Sequence, residues 1–138
     1  MSNPREHVVD IALLVLRVGL GGMMLTHGVP KLLGGPDTWE KLGGAMTYVG
    51  LDLWPTLWGL AAALTETVGA VLLALGLLTR TSAGFLMVTM MVAAAMHLGK
   101  GDGIGGASHA IEDGIAFLTL LVAGGGRYSI DAWIRARR

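Results

Sequence analysis

Four long apolar stretches, parted by short polar or glycine-rich ones, dominate the chain. The first covers about 8–28 and is interrupted by Arg17 before it closes on His27. The second, about 54–78, is broken by Glu66 and a few threonines, and the third, about 82–98, carries no charge ahead of His97. The fourth, about 108–124, opens with Glu112 and Asp113. Each approaches the ~20 apolar residues that a helix needs to cross ~30 Å of hydrocarbon. The pattern predicts an all-α integral membrane protein, a four-helix up-down bundle, because the connections at 79–81 and 99–107 join antiparallel neighbours. The first connection is longer, and its middle, 39–49, suits a short helix at the interface. A soluble bundle would need a polar face on every helix, and 57–78 offers almost none.

Composition agrees. The chain is 53% hydrophobic and 14% charged, against roughly 25% charged in a soluble domain. Its 138 residues suit one domain, here 1–138 with an interfacial tail at 129–138. Zero net charge gives a nucleic-acid partner no electrostatic support. Without cysteine there is no disulfide and no thiolate metal site. The glycines, 22 of them, fit helices that pack closely in a membrane.

Arginines set the expected orientation. The N-terminus, the 79–81 turn and the C-terminus carry Arg5, Arg80, Arg127, Arg135, Arg137 and Arg138, while Lys31, Lys41 and Lys100 fall on the other side. The excess places both termini in the cytoplasm. Trp54 and Trp58 then lie at the outer interface, Tyr128 and Trp133 at the inner one. The tail sets Ile130, Trp133 and Ile134 against Asp131 and three arginines, which suits the inner headgroups. No small-residue cleavage site follows the first apolar run, so it reads as a retained helix.

Ionisable groups inside these spans carry the chemistry. A charge in the bilayer costs about 2.5–3.5 kcal/mol on insertion scales, which makes it a functional-site candidate by default. Gly59, Ala62, Ala63, Glu66, Gly69, Ala70 and Leu73 share one helix face, as do Arg17, Gly21, Met24 and Gly28. Counted from the inner helix ends, Arg17 lies ~12 Å and Glu66 ~18 Å deep at 1.5 Å per residue. They are therefore expected to form a buried ion pair, either facing a ligand or fixing helix register. His27, His97 and Glu112 come out near the outer helix ends, with His109 beside them, as a second polar layer. Glu66, His97 and Glu112 are the candidates for moving protons, and Arg17, His27, Glu66 and His97 for holding a ligand. No metal ligand set is assigned. Met23, Met24, Met87, Met90, Met91 and Met96 leave copper open, although methionine more often fills gaps in a core. His27 and His97, on separate helices at similar depth, leave haem open. The glycine-rich 99–106 stretch lacks the spacing of a phosphate loop and reads as a flexible connection.

These residues also form a recognisable set. Leu16-Arg17-Val18-Gly19 precedes His27-Gly28-Val29-Pro30-Lys31-Leu32; Glu66-Thr67-Val68-Gly69 leads to Leu75-Gly76-Leu77-Leu78-Thr79-Arg80. Met96-His97 with the later Glu112, and Gly124-Gly-Gly-Arg127-Tyr128-Ser129-Ile130-Asp131, complete it. In this order, over Leu13 to Asp131, the chain resembles the DoxX family of small bacterial and archaeal four-helix membrane proteins. The resemblance implies a cytoplasmic-membrane location and quinone-associated oxidoreduction. That includes the membrane part of a thiosulfate:quinone oxidoreductase, tolerance of oxidative stress, and assembly with redox partners. A thiol-based sulfur carrier would have to come from a partner, since this chain has no cysteine.

The expectation is a quinone- or quinol-binding membrane subunit of an oxidoreductase or oxidative-stress system. It would be fed with electrons by a partner protein and would itself be a homo-oligomer. The alternatives are a carrier or channel for protons or a small solute, and an assembly protein whose polar layer only sets packing. No internal repeat of the kind many transporters carry is evident.

Overall fold

The computed structural model describes residues 4–137. Six α-helices follow one another, and no strand occurs among the described residues. They are α1 (Pro4–Leu33), α2 (Gly35–Gly43), α3 (Pro55–Leu75), α4 (Thr79–Gly99), α5 (Gly103–Ala123) and α6 (Ile130–Arg135). A 3-10 segment, Gly44–Val49, continues α2. Four of them, α1, α3, α4 and α5, are long and apolar enough to cross a membrane. The architecture is that of an all-helical membrane bundle, with apolar outer faces suited to lipid. Both described chain ends lie at one end, called proximal here; the opposite end is distal.

Helix limits differ from those expected, for local reasons. The apolar pattern stops α1 at 28, yet the helix runs through Pro30 to Leu33. A proline is tolerated in such a helix where neighbours supply the missing contacts. Here the turn continues through a bond from the Gly34 N–H to the Pro30 carbonyl at 3.0 Å. Gly35, with φ of 75°, then turns the chain into α2. The indole Nε1 of Trp39 donates to the Lys31 carbonyl at 3.0 Å, tying α2 back to the end of α1. The 99–107 stretch contributes less loop than expected: α4 runs to Gly99 and α5 starts at Gly103.

Packing is uneven, and that opens a site. Phe117, Leu120, Leu73, Leu86 and Met24 form a close-packed core. α1 lies antiparallel on α3 through two glycines. A Cβ on Gly21 would stand 2.7 Å from the Ala70 carbonyl oxygen, and one on Gly28 would stand 2.5 Å from that of Glu66. α4 packs along α5 and against the proximal part of α3, whereas beyond Glu66 its neighbour becomes the 3-10 segment. There the Tyr48 ring lies on Gly99, where any side chain would collide with it. α2 crosses α3 with backbones touching at Gly43 and Gly59, so the wedge between α3 and α4 is roofed and left hollow.

One turn of α3 is not α-helical. Thr65–Gly69 forms a π turn, which widens the helix at Glu66. Such a turn disturbs the regular ladder and often marks a functional site. The Thr67 hydroxyl donates to the Ala63 carbonyl at 2.8 Å, engaging an acceptor next to the distortion.

The tail, expected at the headgroups, packs on the bundle through the turn between α3 and α4. Leu78 takes the left-handed conformation (φ 51°) at the start of α4. Asp131 steadies that turn, accepting the Leu78 N–H, the Thr79 N–H and the Thr79 hydroxyl, each at 2.8 Å. Burial tends to raise the Asp131 carboxyl, but the Thr79 and Leu78 bonds and the charge of Arg135 outweigh it and hold it below its ordinary value. Trp133 stays exposed and stacks under the Arg137 guanidinium.

Candidate functional site

Glu66 is 2% exposed, and its Oε2 accepts from Lys31 Nζ at 2.6 Å. Arg17, the partner expected from depth, is elsewhere. Its Nε donates to the Gly125 carbonyl at 3.3 Å, Nη2 to that of Tyr128 at 2.7 Å, and Nη1 to that of Ala74. Two facts overturn the Arg17–Glu66 pair. The glycine contacts set Gly28 opposite Glu66 and Gly21 opposite Ala70 and Ala74. Arg17 therefore falls eleven residues, about 16 Å, below the level of Glu66. Counting depth from helix ends fails because α1 extends more than three turns past the end of α3.

Direction then selects the partner. Side chains on a helix lean toward its N-terminus. On α1 that leans Arg17 proximally, away from Glu66, and leans Lys31 toward it. On the antiparallel α3 it leans Glu66 distally, toward Lys31. The sequence reading left Lys31 in a loop, although the spacing 17, 21, 24, 28 continues to 31 on the same face.

This pair borders a cavity of about 590 Å³ in the distal part of the bundle. Met24, Ala61, Ala62, Val92, Ala93 and Met96 form its apolar walls, and Leu42, Gly43, Ala45 and Met46 its roof. His27, His97 and His109 also line it. The rings of His27 and His109 lie 5.7 Å apart, where α1 meets α5. His97 Nδ1 is 2.7 Å from Asp102 Oδ2. An ionised carboxylate only accepts, so Nδ1 is the donor and Nε2 is left to take a hydrogen bond or a proton. His109 Nε2 approaches Asp113 Oδ2 less closely, at 3.5 Å.

The structure thus brings Glu66, His27 and His97 to one cavity and leaves two other candidates outside it. Arg17 is enclosed at the proximal end. Glu112 is exposed on α5, about 100° round the helix from Asp113, and does not border the cavity. Lys31 and Asp102 are the partners of candidate residues that sequence reasoning missed. Asp102 falls in the glycine-rich stretch, and only the fold carries it back to His97, five residues earlier.

Chemically, the cavity offers a fixed charge pair and a carboxylate-oriented imidazole beside apolar walls. Among the described residues Lys31 is the one donor to Glu66, and it engages Oε2 alone. The size lies within the range of small-molecule sites, ~300–1,000 Å³.

No curated protein and no solved structure matches the chain. The model of the DoxX family matches residues 12–98, which hold most of α1, the roof, α3 and nearly all of α4. The match ends before Asp102, and before Glu112 and the 124–131 segment, the two parts beyond it on which the resemblance had drawn. Covering well over half of the sequence, it shows that the chain belongs to the DoxX family.

Proposed function

We propose that the distal cavity holds a quinone or quinol and that the protein is the quinone-binding membrane subunit of an oxidoreductase or oxidative-stress system. The carrying observation is the convergence of Lys31–Glu66 and His97–Asp102 on one apolar cavity between lipid-facing helices. A planar ring with two carbonyl oxygens fits such a space, its apolar faces against Met24, Ala62 and Met96. Lys31 would donate to a ring oxygen, His97 Nε2 would accept from a quinol hydroxyl, and Glu66 would take or return a proton. Asp102 orients His97. A quinone would supply a two-electron, two-proton couple, with electrons delivered by a partner protein. The arginine excess at the proximal end supports a cytoplasmic position for both termini.

The carrier reading gains no comparable support. Proximal to Glu66 the bundle is filled by Leu73, Leu86, Phe117 and Leu120, all fully buried, so apolar side chains lie below the cavity among the described residues.

The test uses protein purified gently from its own membranes, with solvent extraction, mass spectrometry and a visible spectrum. Quinone near one per chain that falls at least tenfold in Glu66→Gln supports the reading. A haem band would move His27 and His97 to the centre of a different one. An empty, colourless and well-folded protein would overturn it in favour of carriage or assembly.

A further inference from the structure

A second cavity, of about 540 Å³, lies at the proximal end, away from the site just described. Arg80, Arg127 and Arg135 line it together with Asp10 and Asp131. Both carboxylates are engaged by backbone: Asp131 by the Leu78 and Thr79 N–H groups, and Asp10 by the Arg127 N–H at 2.9 Å. None of the three guanidiniums forms an ion pair among the described residues. Arg80 is held in place, since its Nη2 donates to the Val122 carbonyl at 3.0 Å and its Nε lies close over Gly124. The side chains of Arg127 and Arg135 donate to no acceptor among the described residues.

Depth and surroundings narrow the ligand. α4 and α5 have 21 residues each, or about 32 Å at 1.5 Å per residue, close to the ~30 Å of hydrocarbon. The cavity is walled by the last residues of α5, the turn before α4 and the segment beyond, so it lies at headgroup level. Exposed apolar side chains stand beside it: Leu78 in its wall and Val122 next to Arg80. Arginine forks match phosphate oxygens, and basic pockets between helix ends are suited to anionic lipid headgroups.

We propose that this cavity binds the phosphate of an anionic phospholipid. The three arginines hold the headgroup, and the acyl chains run along Leu78 and Val122. Inorganic phosphate offers the same anion but leaves the apolar border unused. The site is independent of whatever fills the distal cavity.

The full chain, delipidated in a nonionic detergent, is titrated with phosphatidylglycerol, phosphatidylcholine or inorganic phosphate, and bound lipid is counted by native mass spectrometry. Phosphatidylglycerol is expected to bind at one per chain, at least tenfold tighter than phosphatidylcholine, and to resist displacement by phosphate. Arg127→Gln and Arg135→Gln should each weaken it about fivefold, and the triple variant with Arg80→Gln about a hundredfold. The two single variants remove no hydrogen bond of the fold and so keep the test valid if the triple variant misfolds. Equal binding of the two lipids, or undiminished binding in the single variants, would overturn the proposal. Displacement by inorganic phosphate would overturn the lipid in favour of a soluble anion.

Discussion

Replacing Arg17 by methionine separates a structural clasp from a ligand-binding group. Arg17 is 2% exposed, and its guanidinium joins three segments: the end of α3 at Ala74, the glycine turn at Gly125, and Tyr128 ahead of α6. Bonds from a charged donor contribute about 1.5–3 kcal/mol each, so three amount to roughly 5–9 kcal/mol. Burial of the guanidinium offsets several kcal/mol of that. The net loss expected for Arg17→Met is about 3–5 kcal/mol, the range seen when one partner of a buried charged interaction is removed. Thermal unfolding in detergent should drop by about 10–17 °C, with earlier proteolysis of the tail after residue 124. Arg17→Lys should recover only part, because an ammonium lacks the planar fork that reaches three carbonyls. Occupancy of the distal cavity by the proposed quinone, per folded chain, should not change. If Arg17→Met unfolds within about 1 kcal/mol of the wild type, the clasp is wrong. A loss of ligand without a loss of stability would return Arg17 to the binding site.

Three further outcomes follow from the same geometry. Lys31→Met leaves Glu66 buried beside the cavity without its counter-charge and should cost about 1–3 kcal/mol, discounted for the partial exposure of Lys31. Adding Glu66→Gln should recover part of that, and a double-mutant cycle by thermal unfolding reads the coupling; strict additivity would deny the pair. Gly28→Val places a Cβ 2.5 Å from Glu66 backbone atoms and 2.7 Å from Thr67 Oγ1, so unfolding should show a loss of about 1–3 kcal/mol or more, and an unchanged midpoint would contradict the register. Asp131, held below its ordinary 3.8 in the fold, binds a proton more readily when unfolded. Its stabilisation is therefore complete above about pH 4 and lost as pH falls through the depressed native value; stability profiles of wild type and Asp131→Asn should converge in acid, and parallel profiles would refute the cap.

Much of the candidate site was legible, but not its pairing. Glu66, His27 and His97 stand out because a polar group among apolar neighbours is costly, and they do share a cavity. Lys31 was hidden by Pro30, which reads as a stop although the membrane helix passes through it. Asp102 was hidden among glycines. Glu112 was drawn in by its place at a helix start, yet rotation about α5 turns it outward, and one residue of helical phase decides such a choice.

What the sequence by itself determined is the class and the inventory: a four-helix membrane bundle with a few ionisable groups. Length and apolarity against the thickness of hydrocarbon leave little choice there. Tertiary structure decided who meets whom. Small residues at Gly21, Gly28, Gly43 and Gly59 set how far each helix slides along its neighbour, and a slide of three turns exchanges Arg17 for Lys31 as the partner of Glu66. Apolar periodicity is blind to that slide, because every register buries the same face; only contact between two particular backbones fixes it.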